Sequence, residues 1–325
     1  MTIRSRADIA GMLAVIVALV ALFSAVSDHF FTVLTFATIA NQIPALLVVA
    51  VGMTLVLVSG AIDLSVGSVL AVCGATMGMA LTTWSLPLPI AIALCLAIGL
   101  LGGAINGAII VAWRVPSFIV TLGMLEVARG AAYLITDTRS VFVGSSVAVI
   151  SAPIPGLGIA PAFVASVLIV WGGQVILTRT VFGRYLVAIG TNEEAVRLAG
   201  VDPRPVRLAV FALSGVLAAM GGVFHVSYLE TVDPNAGIGL ELSAIAAVVV
   251  GGTSLSGGHG SVVRSFLGVV IIALLQTGLA QVGASEPVKR VVTGSVIVAA
   301  VILDAHRRRT GGAIGALPRR AGRGT

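Results

Sequence analysis

The sequence predicts an all-α, polytopic membrane protein with about ten transmembrane helices, and three observations predict it. Of 325 residues, 58% are hydrophobic and only 10% charged, where a soluble domain carries about 25% charged residues. Apolar runs recur from Ile9 to Leu303, many of them close to the roughly twenty residues that cross about 30 Å of hydrocarbon. The runs are continuous rather than alternating, and lipid offers unpaired backbone groups no water. A spanning segment must therefore be a helix or part of a closed barrel, and unbroken apolarity fits the helix.

The elements follow in chain order. Run 9–26 comes after Arg4 and Arg6. It has the layout of a signal peptide, but further runs follow it, so it reads as an uncleaved start-transfer helix with its N-terminus in the cytoplasm. Run 37–58 ends at Ser59-Gly60, and run 66–83 opens after Asp63. Runs 88–112 and 117–135 are separated by a turn holding Arg114 and Pro116. The Pro/Gly-rich stretch 136–160 is a loop facing outward, and run 160–178 follows it. A second long connection, 179–205, precedes run 206–226. The short run 241–252 and the runs 262–282 and 288–303 complete the set. A single transmembrane domain thus occupies 1–303. Residues 304–325 form a basic cytoplasmic tail, low in complexity and disordered from Thr310 onward.

Ten crossings place Arg114, the arginines of the 179–207 region and Arg307, Arg308 and Arg309 on the cytoplasmic side, as the positive-inside rule requires. Lys289 and Arg290 fall on the outer side, against that rule. The net charge of +6 and pI of about 10.3 come from these juxtamembrane and tail arginines. They mark a membrane orientation and no nucleic-acid partner. Cys73 and Cys95 lie within apolar runs and read as small core residues. His29, His225, His259 and His306 lack ligand spacing, so no metal site is predicted.

One stretch does not fit a lipid-embedded chain: GTNEEAVRLAGVDP, residues 190–203. Thr191 and Glu194 have capping-box spacing, Gly200 is suited to a left-handed helix end, and Pro203 blocks resumption. Glu193 and Arg197 are four apart in the favourable order. About eight residues are marginal as an isolated helix in water, so something must hold it. One reading is an interfacial helix on lipid headgroups. The other, which we prefer, is a rigid knob entering a groove of a soluble partner, because the segment lacks the large aromatic anchors of membrane-surface helices.

Four stretches resemble the permease subunits of bacterial ABC importers for monosaccharides, the ribose-type branch of a superfamily that also handles branched-chain amino acids. They are AVGMTLVLVSGAIDLSVGSVLAV (50–72), VPSFIVTLGMLEVARGAAYLIT (115–136), GRYLVAIGTNEEAVRLAGV (183–201) and ELSAIAAVVVGGTSLSGGHGS (241–261). The resemblance covers most of 37–304. It implies a coupling helix at 192–199 that docks on a separate ATP-hydrolysing subunit, with Glu193, Glu194, Ala195, Arg197 and Gly200 as the contact. It also implies a periplasmic sugar-binding protein, a permease homodimer and residence in the inner membrane. Ser243 stands where the family often has Asp, and His259 where Arg or Lys is usual, which leaves the solute open. A GxxxxGK[ST] phosphate loop is absent from the sequence, so the chain reads as a transport subunit and not an enzyme, with ATP bound by the partner and no cofactor of its own.

A polar solute needs polar groups at membrane depth. The candidates for the path or its gating are Asn41, Gln42, Asp63, Ser65, Asn106, Glu241 and Gln276, with Glu126, Arg129, Gln174 and His225 as further polar residues in apolar surroundings. Asn106, between Gly103 and Gly107, serves equally as a bond to a neighbouring helix. Glu126 and Arg129, three apart on one face, read first as a structural ion pair. Asp63 reads as architectural or gating, at a break where a helix end is aimed inward. The rival functions are a nucleoside or branched-chain amino acid permease of the same superfamily and an ion-driven secondary transporter.

Overall fold

The computed structural model describes residues 3–313. It contains α1 (Ile3–Val26), α2 (Val33–Gln42), α3 (Pro44–Val58), α4 (Val66–Thr82), α5 (Leu88–Trp113) and α6 (Ser117–Thr136). Next come β1 (Val141–Phe142), α7 (Ala148–Ser151), α8 (Pro161–Arg179), α9 (Val181–Leu198) and α10 (Arg204–Leu229). The remainder is β2 (Thr231–Val232), α11 (Leu240–Val250), α12 (Val262–Gln281) and α13 (Glu286–Ala313). The chain is an all-α polytopic membrane protein.

Nine of the ten expected runs each fall on one helix, and the run 37–58 falls on two. Six helices (α1, α5, α6, α8, α10 and α12) are long and apolar enough to cross a membrane. The pair α2 and α3, bent by 50°, counts as a seventh. Pro44 opens α3 and donates no hydrogen bond, which places the bend there. The helices α4 and α11 are apolar but have only 17 and 11 residues. Helix α13 starts with charge: Lys289 and Arg290 both pair with Glu286, at 2.6 and 3.8 Å. The hydrogen bond from Lys289 holds the Glu286 carboxyl below its ordinary range. These two cations, exceptions to the charge rule, are thus partly neutralised where they stand. Helix α13 continues through 304–313, where the tail was expected to begin and, from Thr310, to be disordered; its arginines favour helix, and 314–325 lie outside the described residues.

The core is centred on α3, α4 and α10. Helix α3 is hydrophobic all round and buried all round, with Leu47, Val48, Met53 and Leu57 fully enclosed. By contrast α1, α5, α6 and α8 turn apolar side chains outward, among them Val17, Leu101, Leu134 and Trp171. An apolar surface of that kind belongs against lipid or another apolar protein face. Helix α5 lies close on α10 because Gly99, Gly103 and Gly107 recur every fourth residue; a Cβ at Gly103 would strike the Phe211 carbonyl. Cys73 and Cys95 are buried free thiols.

At the end of α10 remote from the charged segment, β1 pairs antiparallel with β2, Val141 opposite Val232 and Phe142 opposite Thr231. This ribbon, absent from the sequence expectation, ties the long 136–160 loop to the α10–α11 connection. We call the two ends of the molecule the charged end and the ribbon end.

Candidate functional site

At the charged end, α9 is two helices joined at Asn192, whose backbone is extended (φ −162, ψ 97). The first half runs unbroken through Thr191, so that residue stays helical and its hydroxyl donates to the Val187 carbonyl at 2.7 Å. The expected capping box is therefore displaced by one residue: Asn192 Oδ1 accepts from the Ala195 N–H at 2.9 Å. The charged turn that follows, 193–198, closes as expected. Gly200 is left-handed at φ +82, and the Val201 N–H reaches back to the Val196 carbonyl at 3.2 Å. Asp202 Oδ1 then caps α10 through the Arg204 N–H at 3.0 Å.

The expected Glu193–Arg197 pair is not formed. Glu193 bonds Arg207 on the first turns of α10 instead, at 2.5 Å, and Arg197 pairs with Glu194 at 3.6 Å. The geometric reason is that Glu193 faces α10, to which the charged turn is pinned. This is what holds a helix too short to stand alone. Behind the turn lies an open cavity of about 760 Å³, lined by Arg114, Arg197, Arg204 and Arg207 together with Glu193 and Asp202. Arg114 and Arg204 have no ion partner among the described residues. The cavity is therefore basic, and the outer face of the turn, with Glu194, Ala195, Leu198 and Ala199, is exposed.

Deeper in the bundle the chain breaks between α3 and α4, and there three of the expected residues meet. Asp63 Oδ1 accepts from both the Ser65 N–H, at 3.0 Å, and the Ser65 hydroxyl, at 2.6 Å. Asp63 Oδ2 accepts from the Ser214 hydroxyl of α10 at 2.8 Å, and Asn106 of α5 donates to Ser65 Oγ at 3.0 Å. All four side chains are almost wholly buried, and Asn106 Oδ1 has no partner. Two α6 hydroxyls one turn apart support the break: Ser117 accepts from the Ile62 N–H and Thr121 from the Leu64 N–H, at 3.0 and 3.1 Å. Sequence reasoning missed Ser214, Ser117 and Thr121. Only the four-residue spacing of the last two at a span start offered a signal.

Helix α11 is the second short element. Glu241, in its first turn, accepts from the Gly239 N–H at 3.2 Å, and its other carboxylate oxygen lies against Gly67 of α4. The ends of two half-length helices thus face each other, a geometry that aims positive helix dipoles into the bundle. The 234–236 turn is held from α6: Arg129 donates to the Pro234 and Ala236 carbonyls and Tyr133 to Asn235 Oδ1. The expected Glu126–Arg129 pair is absent because these carbonyls take the guanidinium; Glu126 is exposed.

The remaining expected residues lie elsewhere. Asn41 holds the end of the 136–160 loop, donating to the Gly158 carbonyl at 3.1 Å and accepting from the Ala160 N–H at 2.8 Å. Gln174 accepts from Ser261 and from the Val263 N–H at the start of α12. Gln42 and Gln276 are exposed on the single chain. His225 is half-buried on α10. Ser243 donates to the Gly239 carbonyl, and His259 is exposed.

Broken apolar helices, outward apolar surfaces and a pinned charged turn define a polytopic permease. The family described as branched-chain amino acid transport system / permease component matches residues 35–301, and the chain belongs to it. It is 37% identical over 294 residues to the ribose import permease protein of Escherichia coli, covering 88% of this chain and 90% of that one. The ribose import permease protein of Bacillus subtilis is also 37% identical, over 88% of this chain and 89% of its own. The autoinducer 2 import system permease protein of Photorhabdus luminescens is 31% identical, over 94% of this chain and 92% of its own. No solved structure matches the chain.

Proposed function

We propose that the chain is the membrane-spanning subunit of an ATP-driven importer for a monosaccharide. It forms the translocation path in the inner membrane of a bacterium, as a homodimer with both termini cytoplasmic. The observation that carries the reading is the charged turn 193–198, capped at both ends, pinned to α10 and presented outward beside a basic cavity. The chain brings no phosphate-binding loop, so ATP is bound by a cassette ATPase that grips this turn. A periplasmic binding protein delivers the sugar to the ribbon end. Closure of the ATPase pair draws the two coupling turns together and opens the path outward; hydrolysis resets it. The gathering of Arg114, Arg197, Arg204 and Arg207 at one end supports the cytoplasmic assignment of that end. Relatives named for ribose import support the solute class. The family's description in terms of branched-chain amino acids favours a second reading, an amino acid permease of the same build. A thermal shift of the partner binding protein with ribose, other monosaccharides and leucine separates the two.

The test of coupling is Ala195→Pro. Proline removes the N–H that Asn192 caps and drives Glu194 out of helical geometry. The variant is expected to insert and to reach wild-type levels while sugar uptake in proteoliposomes falls at least tenfold. Undiminished uptake rejects the coupling role.

A further inference from the structure

The residues immediately before the charged turn make contacts that coupling to an ATPase alone does not require. Gly190 and Thr191 end the first half of α9, two residues from Glu193. Gly190 lies against the α3 end so closely that a Cβ there would strike the Val58 carbonyl and stand 2.6 Å from the Gly258 nitrogen. A Cβ at Gly257, in the α11–α12 connection, would stand 2.8 Å from both the Gly190 carbonyl oxygen and the Gly60 Cα. The Gly258 N–H donates to the Val58 carbonyl at 2.9 Å. Three segments remote in sequence therefore touch backbone to backbone: the break after α3, the connection after α11, and the base of the charged turn.

We propose that Gly190 is a positioning residue, the centre of a rigid joint that carries displacement of the charged turn to both broken helices at once. The proposal rests on the docking role given to 193–198. A contact made of side chains yields by rotamer changes, whereas peptide planes in van der Waals contact have none to make, and a close-packed interior passes strain on. Displacement of Gly190 therefore moves the α3–α4 break, which carries the Asp63 cluster, together with the α11–α12 connection.

The joint predicts that 191 and 258 stay together through the whole transport cycle. An added Cβ on Gly258 would lie 3.4 Å from the Thr191 Cβ, close to the separation that a disulfide spans. The double variant Thr191→Cys/Gly258→Cys, reconstituted with its ATPase and binding protein, is assayed oxidised and reduced, with the single Gly258→Cys variant as the control for strain at φ +82. Expected are a high cross-link yield, uptake within twofold in the two redox states, and an unchanged ratio of ATP hydrolysed to sugar moved. Uptake lost tenfold on oxidation and regained on reduction overturns the joint, because the contact then opens in each cycle. A low cross-link yield overturns it as well. A second variant, Gly190→Ala, is expected to lower uptake at least tenfold while the ATPase still co-purifies; uptake at the wild-type level overturns the proposal. Docking is read separately, as co-purification of the ATPase with the unsubstituted chain, so a failure of the docking role is distinguishable from a failure of the joint.

Discussion

Between Asn192 and Pro203 most residues are exposed, and the capping bonds span two to five residues. Around Asp63 the side chains are buried, and the bonds to Ser214 and from Asn106 to Ser65 join positions 151 and 41 residues apart. The two regions carry a similar number of polar groups, yet they spend them differently. At the charged end polar groups shape a local surface for something outside the chain. Around Asp63 they hold three helices together where the backbone ladder is interrupted, and a missing partner there faces no water.

This contrast yields an ordered set of tests. Asp63→Leu removes the acceptor of the Ser65 and Ser214 hydroxyls and leaves both buried O–H donors without it, while Ser65 Oγ keeps the bond from Asn106. Stability should fall by about 3 kcal/mol, read as an earlier thermal transition in detergent. A transition within a degree of wild type would erase the distinction between the regions. Ser214→Ala removes one of those bonds, and a loss of about 1 kcal/mol is expected in the same assay. Gly200→Val places a β-branched residue at φ +82, a strain of roughly 1–2 kcal/mol confined to the helix end. Because the exposed turn relieves that strain by fraying locally, the thermal transition should barely move while uptake falls. Arg207→Gln releases Glu193 from a partly exposed pair worth about 1 kcal/mol or less. Its expected mark is a salt-dependent weakening of ATPase binding with no change in thermal stability.

How much was legible follows the same division. The helix end at Gly200 and Pro203 was readable because left-handed closure and a missing N–H are properties of single residues. The apolar runs were readable because lipid demands a length. The capping residue was misplaced by one because nothing in TNEE says that the preceding helix continues through Thr191. The ion pair was misassigned because Arg207 is fourteen residues from Glu193, out of reach of any local rule. Asp63, Ser65 and Asn106 were each singled out, but not as neighbours, and Ser214 gave no sign. The burden borne by Arg129 was hidden for the same reason: its acceptors are carbonyls, which sequence does not distinguish.

Helix α10 links the charged end and the ribbon end without interruption. Its 26 residues make a rod about 39 Å long, begun by the Asp202 cap beside the charged turn and finished at the strand that pairs with the 136–160 loop. The ribbon and the pinned turn are thus carried on one unjointed beam, and a load on either end is borne by the other.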